Sequence, residues 1–286
     1  MSLKHMIAIA AGGDGDSEAL RLASSLARHH DSVVEVLPIY PDAAKDMVAL
    51  GMTLGATLSP AAIKELAAAE RELQSRIEDT ARILANEADI VFGAGQGAPR
   101  ISVMVRGLRP PRAVSRHAAL ADLIIFGQGH LDHGLGRDVF SQCLLDDRAP
   151  VLIARQTVEA LSGPAAIAWD GSPQAGRAVK AALPLLAMAS EIHVLQCVSG
   201  LDQTSTDPDI DRLNTYLKLH GVGEGAAVLV EGEDEGAALV AAAKGRMAAL
   251  LIAGAWGHSR FREAVFGGAT RTFLRGSDGP NLLLAH

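Results

Sequence analysis

Short runs of β-branched and aliphatic residues alternate with longer Ala/Leu-rich stretches in which apolar positions return every three to four residues. The runs at 6–11, 33–40, 100–106, 123–127 and 151–154 are mostly apolar, the pattern of strands buried on both faces of a parallel sheet. Between the first two, Ala19, Leu20, Ala23, Leu26 and Ala27 share one face of a helix that Asp16 or Ser17 caps. Ser59 and Pro60 open a long helix reaching about residue 88, and 111–121 predicts a third. The order then repeats: strand 165–170, helix 173–189, strand 192–199, helix 209–220, strand 226–231 and helix 235–247. Strand 249–254, a glycine-bearing loop, helix 268–275 and strand 281–285 complete it. The predicted fold class is α/β, with two tandem parallel-sheet domains of about five strands each.

The repetition extends to residues. ADLIIFGQGH (121–130) mirrors AALLIAGAWGH (248–258), APVLIA (149–154) mirrors GPNLLLA (279–285), and the opening MIAIAAGGDGDS answers AAIAWDGS (165–172). An internal duplication accounts for this, with domains at 1–155 and 164–286 and a linker over 155–163. The first copy is longer mainly by a mostly helical insertion, 41–88.

The 286-residue length suits two domains. With 49% hydrophobic and 21% charged residues the chain is too apolar to be disordered. A net charge of −7 without a basic stripe argues against nucleic acid as a partner. The apolar runs are far shorter than the ~20 residues of a membrane span. Acidic residues arrive too early for a signal peptide, and two cysteines, Cys143 and Cys197, make no disulfide framework. A cytoplasmic location is expected.

In an open parallel sheet a ligand sits at the carboxyl ends of the strands where the strand order reverses. The first strand of the second copy ends there with Asp170, Gly171 and Ser172. The fourth ends at Gly254, followed by Gly257, then nine residues, then Gly267 and Gly268, with Ala269 and Thr270 opening a helix. Glycines so placed let backbone amides approach phosphates, and a helix start adds partial positive charge. The competing reading is that they let a tight loop pack on the sheet.

The G-x2-G-x9-G spacing after a strand, paired with the Asp-Gly-Ser turn, resembles the universal stress protein family, and the duplication is similar to its tandem members. The likeness is good over WDGSPQAGRAV and GHSRFREAVFGGATRTFL and weak in the first copy. It implies strand order 3-2-1-4-5 in a Rossmann-like domain, pairing through the last strand, and ATP or another adenine nucleotide, with Mg, as ligand. Asp170 would line the nucleoside end; Gly171, Ser172, Gly254, Gly257, Gly267 and Gly268 would shape the turn and loop around ribose and phosphates, with Thr270 as a hydroxyl donor. The family usually carries Ser or Thr where this chain has Gly268. Losing one neutral hydrogen bond, worth about 0.5–1.5 kcal/mol, weakens phosphate binding roughly three- to tenfold without abolishing it. The first copy lacks both the Asp at its strand end and a Gly-Ser pair, so no ATP is expected there, although Asp14 or Asp16 lies within reach.

The implied role is that of a stress-response sensor or regulator. The residues require no turnover, since only His258, Arg260 and Arg262 stand near the phosphates, and any hydrolysis is slow. The alternative is an interaction module in which Trp256 closes the cleft and helix 59–88 docks a protein partner. AGGDGDS (11–17) is one residue too long for a pyrophosphate loop. His130, Asp132 and His133 read as a solvated loop rather than metal ligands. Cys197 reads as core, and Asp207, Asp209 and Asp211 as decoration of a helix start. The two domains are expected to pair within the chain through their last strands, which leaves homodimerisation open.

Overall fold

The computed structural model describes residues 3–39, 59–104, 110–132, 134–157, 159–201, 206–255, 268–275 and 279–286. Strand β1 (His5–Ala10) pairs in parallel with β2 (Val33–Pro38) on one side and β5 (Leu123–Gly127) on the other. Because successive side chains point to opposite faces, Met6, Ala8 and Ala10 enter one core while Ile7 and Ile9 enter the other. That two-sided burial is why the strand reads as an unbroken apolar run. Beyond β2 lies β4 (Arg100–Val103), and beyond β4 a two-residue strand, β3 (Val91–Phe92), absent from the sequence expectation. On the far side, β6 (Val151–Ala154) pairs with β5.

The first face of this half is covered by α1 (Asp16–His30) and α2 (Pro60–Glu87), through Leu20, Leu26, Ile77 and Leu84. The other is covered by α3 (Pro110–Ala118) and α4 (Gly134–Ser141), through Val114, Val139 and Phe140. Of the predicted 41–88 insertion, the long helix forms as expected, and 41–58 lies outside the described residues.

The second half repeats the plan. β7 (Ala165–Ala168) is flanked by β8 (Ile192–Cys197) and β10 (Leu250–Gly254), with β9 (Gly225–Val230) and β11 (Asn281–Ala285) outermost in that half. Helices α5 (Pro173–Leu186) and α6 (Ile210–Leu219) cover one face, α7 (Glu235–Gly245) and α8 (Gly268–Leu274) the other. The order β9-β8-β7-β10-β11 is the expected 3-2-1-4-5, and β4-β2-β1-β5-β6 repeats it in the first half.

The halves join where β11 pairs antiparallel with β6, Leu283 opposite Leu152 and Leu284 opposite Val151, all fully buried. The result is one sheet of 11 strands, in the order β3-β4-β2-β1-β5-β6-β11-β10-β7-β8-β9. Pairing of the two halves within one chain is thus as expected. The linking segment is anchored rather than free. Arg155 donates to Gln128 Oε1 (2.8 Å), Phe273 O (2.7 Å) and Pro280 O (3.3 Å), and Leu161 is buried in a short 3-10 turn, Glu159–Ser162. No helix among the described residues is long and apolar enough to cross a membrane. Cys143 and Cys197 are both free and buried.

Candidate functional site

The residues at the carboxyl end of β7 form a tight turn. Asp170 accepts the Ser172 amide (2.9 Å), and Ser172 caps α5 by accepting the Ala175 amide (3.1 Å), with Pro173 at the first helical position. Gly171 has φ +74°, a left-handed conformation that favours glycine, and a Cβ there would lie 2.2 Å from the Asp207 carbonyl. The backbone at Asp207–Pro208 therefore lies directly over this turn. It is held there by Gln196, a buried β8 side chain whose amide donates to Pro208 O (2.5 Å). Sequence reasoning missed this cover, because the Asp207–Asp211 run looked only like a helix start. In part it is one: Asp209 caps α6, accepting the Asp211 amide (2.8 Å).

β10 lies beside β7, Ala253 opposite Ala168, so the Asp170–Gly171–Ser172 turn and Gly254 are neighbours. A Cβ on Gly254 would meet the Ala175 amide nitrogen at 2.5 Å. Close packing of α5 on the strand end alone accounts for glycine there. Gly268 opens α8, and Thr270 is buried two residues on. The start of α8 packs on α7, where a Cβ on Gly236 would meet Ala269 Cα at 2.6 Å. Gly257 and Gly267, with Trp256, His258, Arg260 and Arg262, lie outside the described residues. Two first-half side chains hold the other end of α8: Gln128 donates to Leu274 O (3.0 Å) and Arg155 to Phe273 O (2.7 Å). A cation at a helix carboxyl end satisfies orphan carbonyls and the helix dipole together.

The equivalent place in the first half is filled by its own chain. Asp16 does not cap α1, which starts after Gly15 without a side-chain cap. Its carboxylate instead turns back to accept the amides of Ala11 (2.7 Å) and Gly12 (2.8 Å) and meets His130 Nε2 at 2.8 Å. His130 Nδ1 in turn accepts the Gly127 amide (3.1 Å), which places the ring proton on Nε2, donating to Asp16. The His130 side chain has no exposure at all, so that part of the expected solvated loop is instead a buried plug; Asp132 is exposed as expected, and His133 lies outside the described residues. The loop closes so tightly that a Cβ on Gly127 would overlap Gly15 O at 2.0 Å. Among the described residues no group of three or more His, Cys, Asp or Glu side chains is placed to hold a metal ion.

No protein-family model and no curated protein matches the sequence. Solved structures do match the fold over the full length. The chain is similar to a universal stress protein from Archaeoglobus fulgidus DSM 4304, with TM-score 0.70 and 14% identity, covering 99% of this chain and 96% of that one. It is also similar to a functionally unknown protein from Pseudomonas aeruginosa PAO1, with TM-score 0.55 and 13% identity, covering 99% and 92%. The chain therefore has the tandem α/β fold of these proteins.

Proposed function

We propose that the chain is a tandem universal stress protein, domains 1–155 and 164–286, that acts as a cytoplasmic regulator and binds an adenine nucleotide in its second half. The observation that carries the reading is the meeting of the Asp170–Ser172 turn with Gly254 at the carboxyl edge of adjacent strands, where the order reverses. Asp170 would hold the nucleoside end and the backbone at Gly254 and Gly268 the ribose and phosphates, with Gly257 and Gly267 between them. A bound nucleotide supplies charge and affinity for a regulated state rather than a reaction, and Mg would arrive with its phosphates. The Asp16–His130 plug supports a structural role for the first half, since the carboxylate at that strand end is engaged by the chain's own imidazole and amides.

One observation favours the interaction-module reading: the backbone at Asp207–Pro208 presses on Gly171, so a nucleoside at Asp170 has to share that edge with it. Calorimetric titration of the nucleotide-stripped protein with ATP separates the two. Saturable binding lost in Gly257→Val is expected. No heat up to about millimolar ATP in the folded protein overturns the nucleotide site and leaves the interaction module.

A further inference from the structure

On the face of the second half covered by α5 and α6 lies a cavity of about 340 Å3 that borders the Gly171–Ser172 turn but is lined by none of Asp170, Gly254, Gly268 and Thr270. Trp169, Val179, Leu213 and Tyr216 give it an aromatic and aliphatic lining, and the cationic side chains are Lys180 and Arg212. Its volume is in the range of small-molecule sites, which are mostly apolar with a few placed polar groups. The Trp169 indole Nε1 is sealed from solvent without a hydrogen-bond partner, an orphan donor on a residue of the lining. Burial raises the Tyr216 phenol above its usual range, so it stays a neutral hydroxyl.

Two further features mark the cavity as kept open and positive. Gly176, the fourth residue of α5, lines it, and a Cβ there would find no atom within 4 Å. Glycine is unfavourable inside a helix, and no close approach demands it at this position; what it leaves is room. Arg212 is ion-paired with Asp207, whose carboxyl it holds below the usual range, so those two charges cancel. Lys180 has no ion pair or hydrogen bond among the described residues, which leaves the cavity one positive charge in excess. The matching hollow in the first half, about 260 Å3 between Gly12, Asp16, Arg76 and Asp79, has no aromatic residue and more carboxylates than cations. The chemistry is therefore particular to the second half.

We propose that the α5–α6 cavity binds a small planar aromatic carboxylate, its ring against Trp169 and Tyr216 and its charge at Lys180. The site shares the Gly171–Ser172 turn with the proposed nucleotide site but none of its loop glycines, so its test uses the nucleotide-stripped protein. The full chain is titrated with 4-fluorobenzoate, with 4-fluorobenzyl alcohol as the neutral counterpart, and ligand binding is followed by fluorine NMR. Saturable binding of the carboxylate is expected, weakened about fivefold in Lys180→Gln. It should be preserved in Gly176→Ala, abolished in Gly176→Leu, and unchanged in Gly257→Val. Thermal melts establish that each variant is folded. Should Gly176→Leu fail to fold, Lys180→Glu on the exposed surface of α5 is expected to abolish binding by charge alone. Absence of saturation at about 10 mM carboxylate, equal binding of the alcohol, or retained binding in folded Gly176→Leu overturns the proposal.

Discussion

His130 and Asp16 stand 114 positions apart in sequence and 2.8 Å apart in space. Each satisfies what the other leaves open. The Asp16 carboxylate is fully engaged by two amides and an imidazole, and the imidazole by a carboxylate and an amide. Removing one partner from a sealed network costs more than the bond is worth, because the remaining polar groups stay buried and unpaired. His130→Ala is expected to lower unfolding stability by about 2–4 kcal/mol in urea titrations, and a loss under about 0.5 kcal/mol would show that the plug is incidental. Asp16 was visible in the sequence as a side chain able to turn into the strand end. The burial of His130 was not, because a GQGHLDHG run carries every local sign of a loop and only the distant turn at 11–16 seals it. His30 shows a related effect at the end of α1. Burial, with His29 and Lys4 nearby, pushes its pKa down to about 4, and its Nε2 is buried without a partner. The unfolded chain, with a value near 6.5, binds this proton first, so stability falls as pH drops from about 6.5 toward about 4. In His30→Gln, the drop in melting temperature between pH 7 and pH 5 is expected to shrink; an unchanged drop places the acid sensitivity elsewhere.

Among elements, the turn after β7 shows most clearly how local chemistry and tertiary contact divide the work. Ser172 followed by Pro173 announces the start of α5 from sequence alone, and the structure places the cap there. Gly171 reads as a flexible position, yet what fixes it is a left-handed φ combined with the Asp207 carbonyl lying against it. Gly171→Ala is expected to destabilise by about 1–3 kcal/mol in chemical denaturation and to loosen the Asp207–Pro208 segment toward proteolysis. An alanine variant as stable and as protease-resistant as the parent would mean that this cover moves aside freely. The regular elements were legible because two-sided burial leaves an unbroken apolar signature. β3 was not, since two residues at a sheet edge carry no period at all. The cover at 206–209 escaped for another reason: its acidic residues serve a helix start and a roof at the same time.

For the molecule as a whole, the reasoning that unpaired edges seek partners anticipated the joining of the halves, and β6 and β11 meet as an apolar antiparallel pair. What strand patterns could not reveal is the polar clamp beside it. Arg155 reaches across to α8 and also donates to Gln128, so the first half holds the helix that carries Gly268. Arg155→Met is expected to cost about 2–3 kcal/mol by leaving helix-end carbonyls unpaired, and to expose the segment around 268–280 to limited proteolysis. An unaltered melt and digest would assign the join to strand pairing alone.

β11 comes last in sequence among the described strands, yet it lies between β6 and β10 inside the sheet, with every residue buried. It alone pairs with both β6 and β10 there, and its Asn281 accepts the amides of Arg155 and Gln156, so the strand supplies both the apolar and the polar part of the join. The join of the two halves is in this sense a keystone: one strand of five residues, set between two edges, is what makes two sheets one.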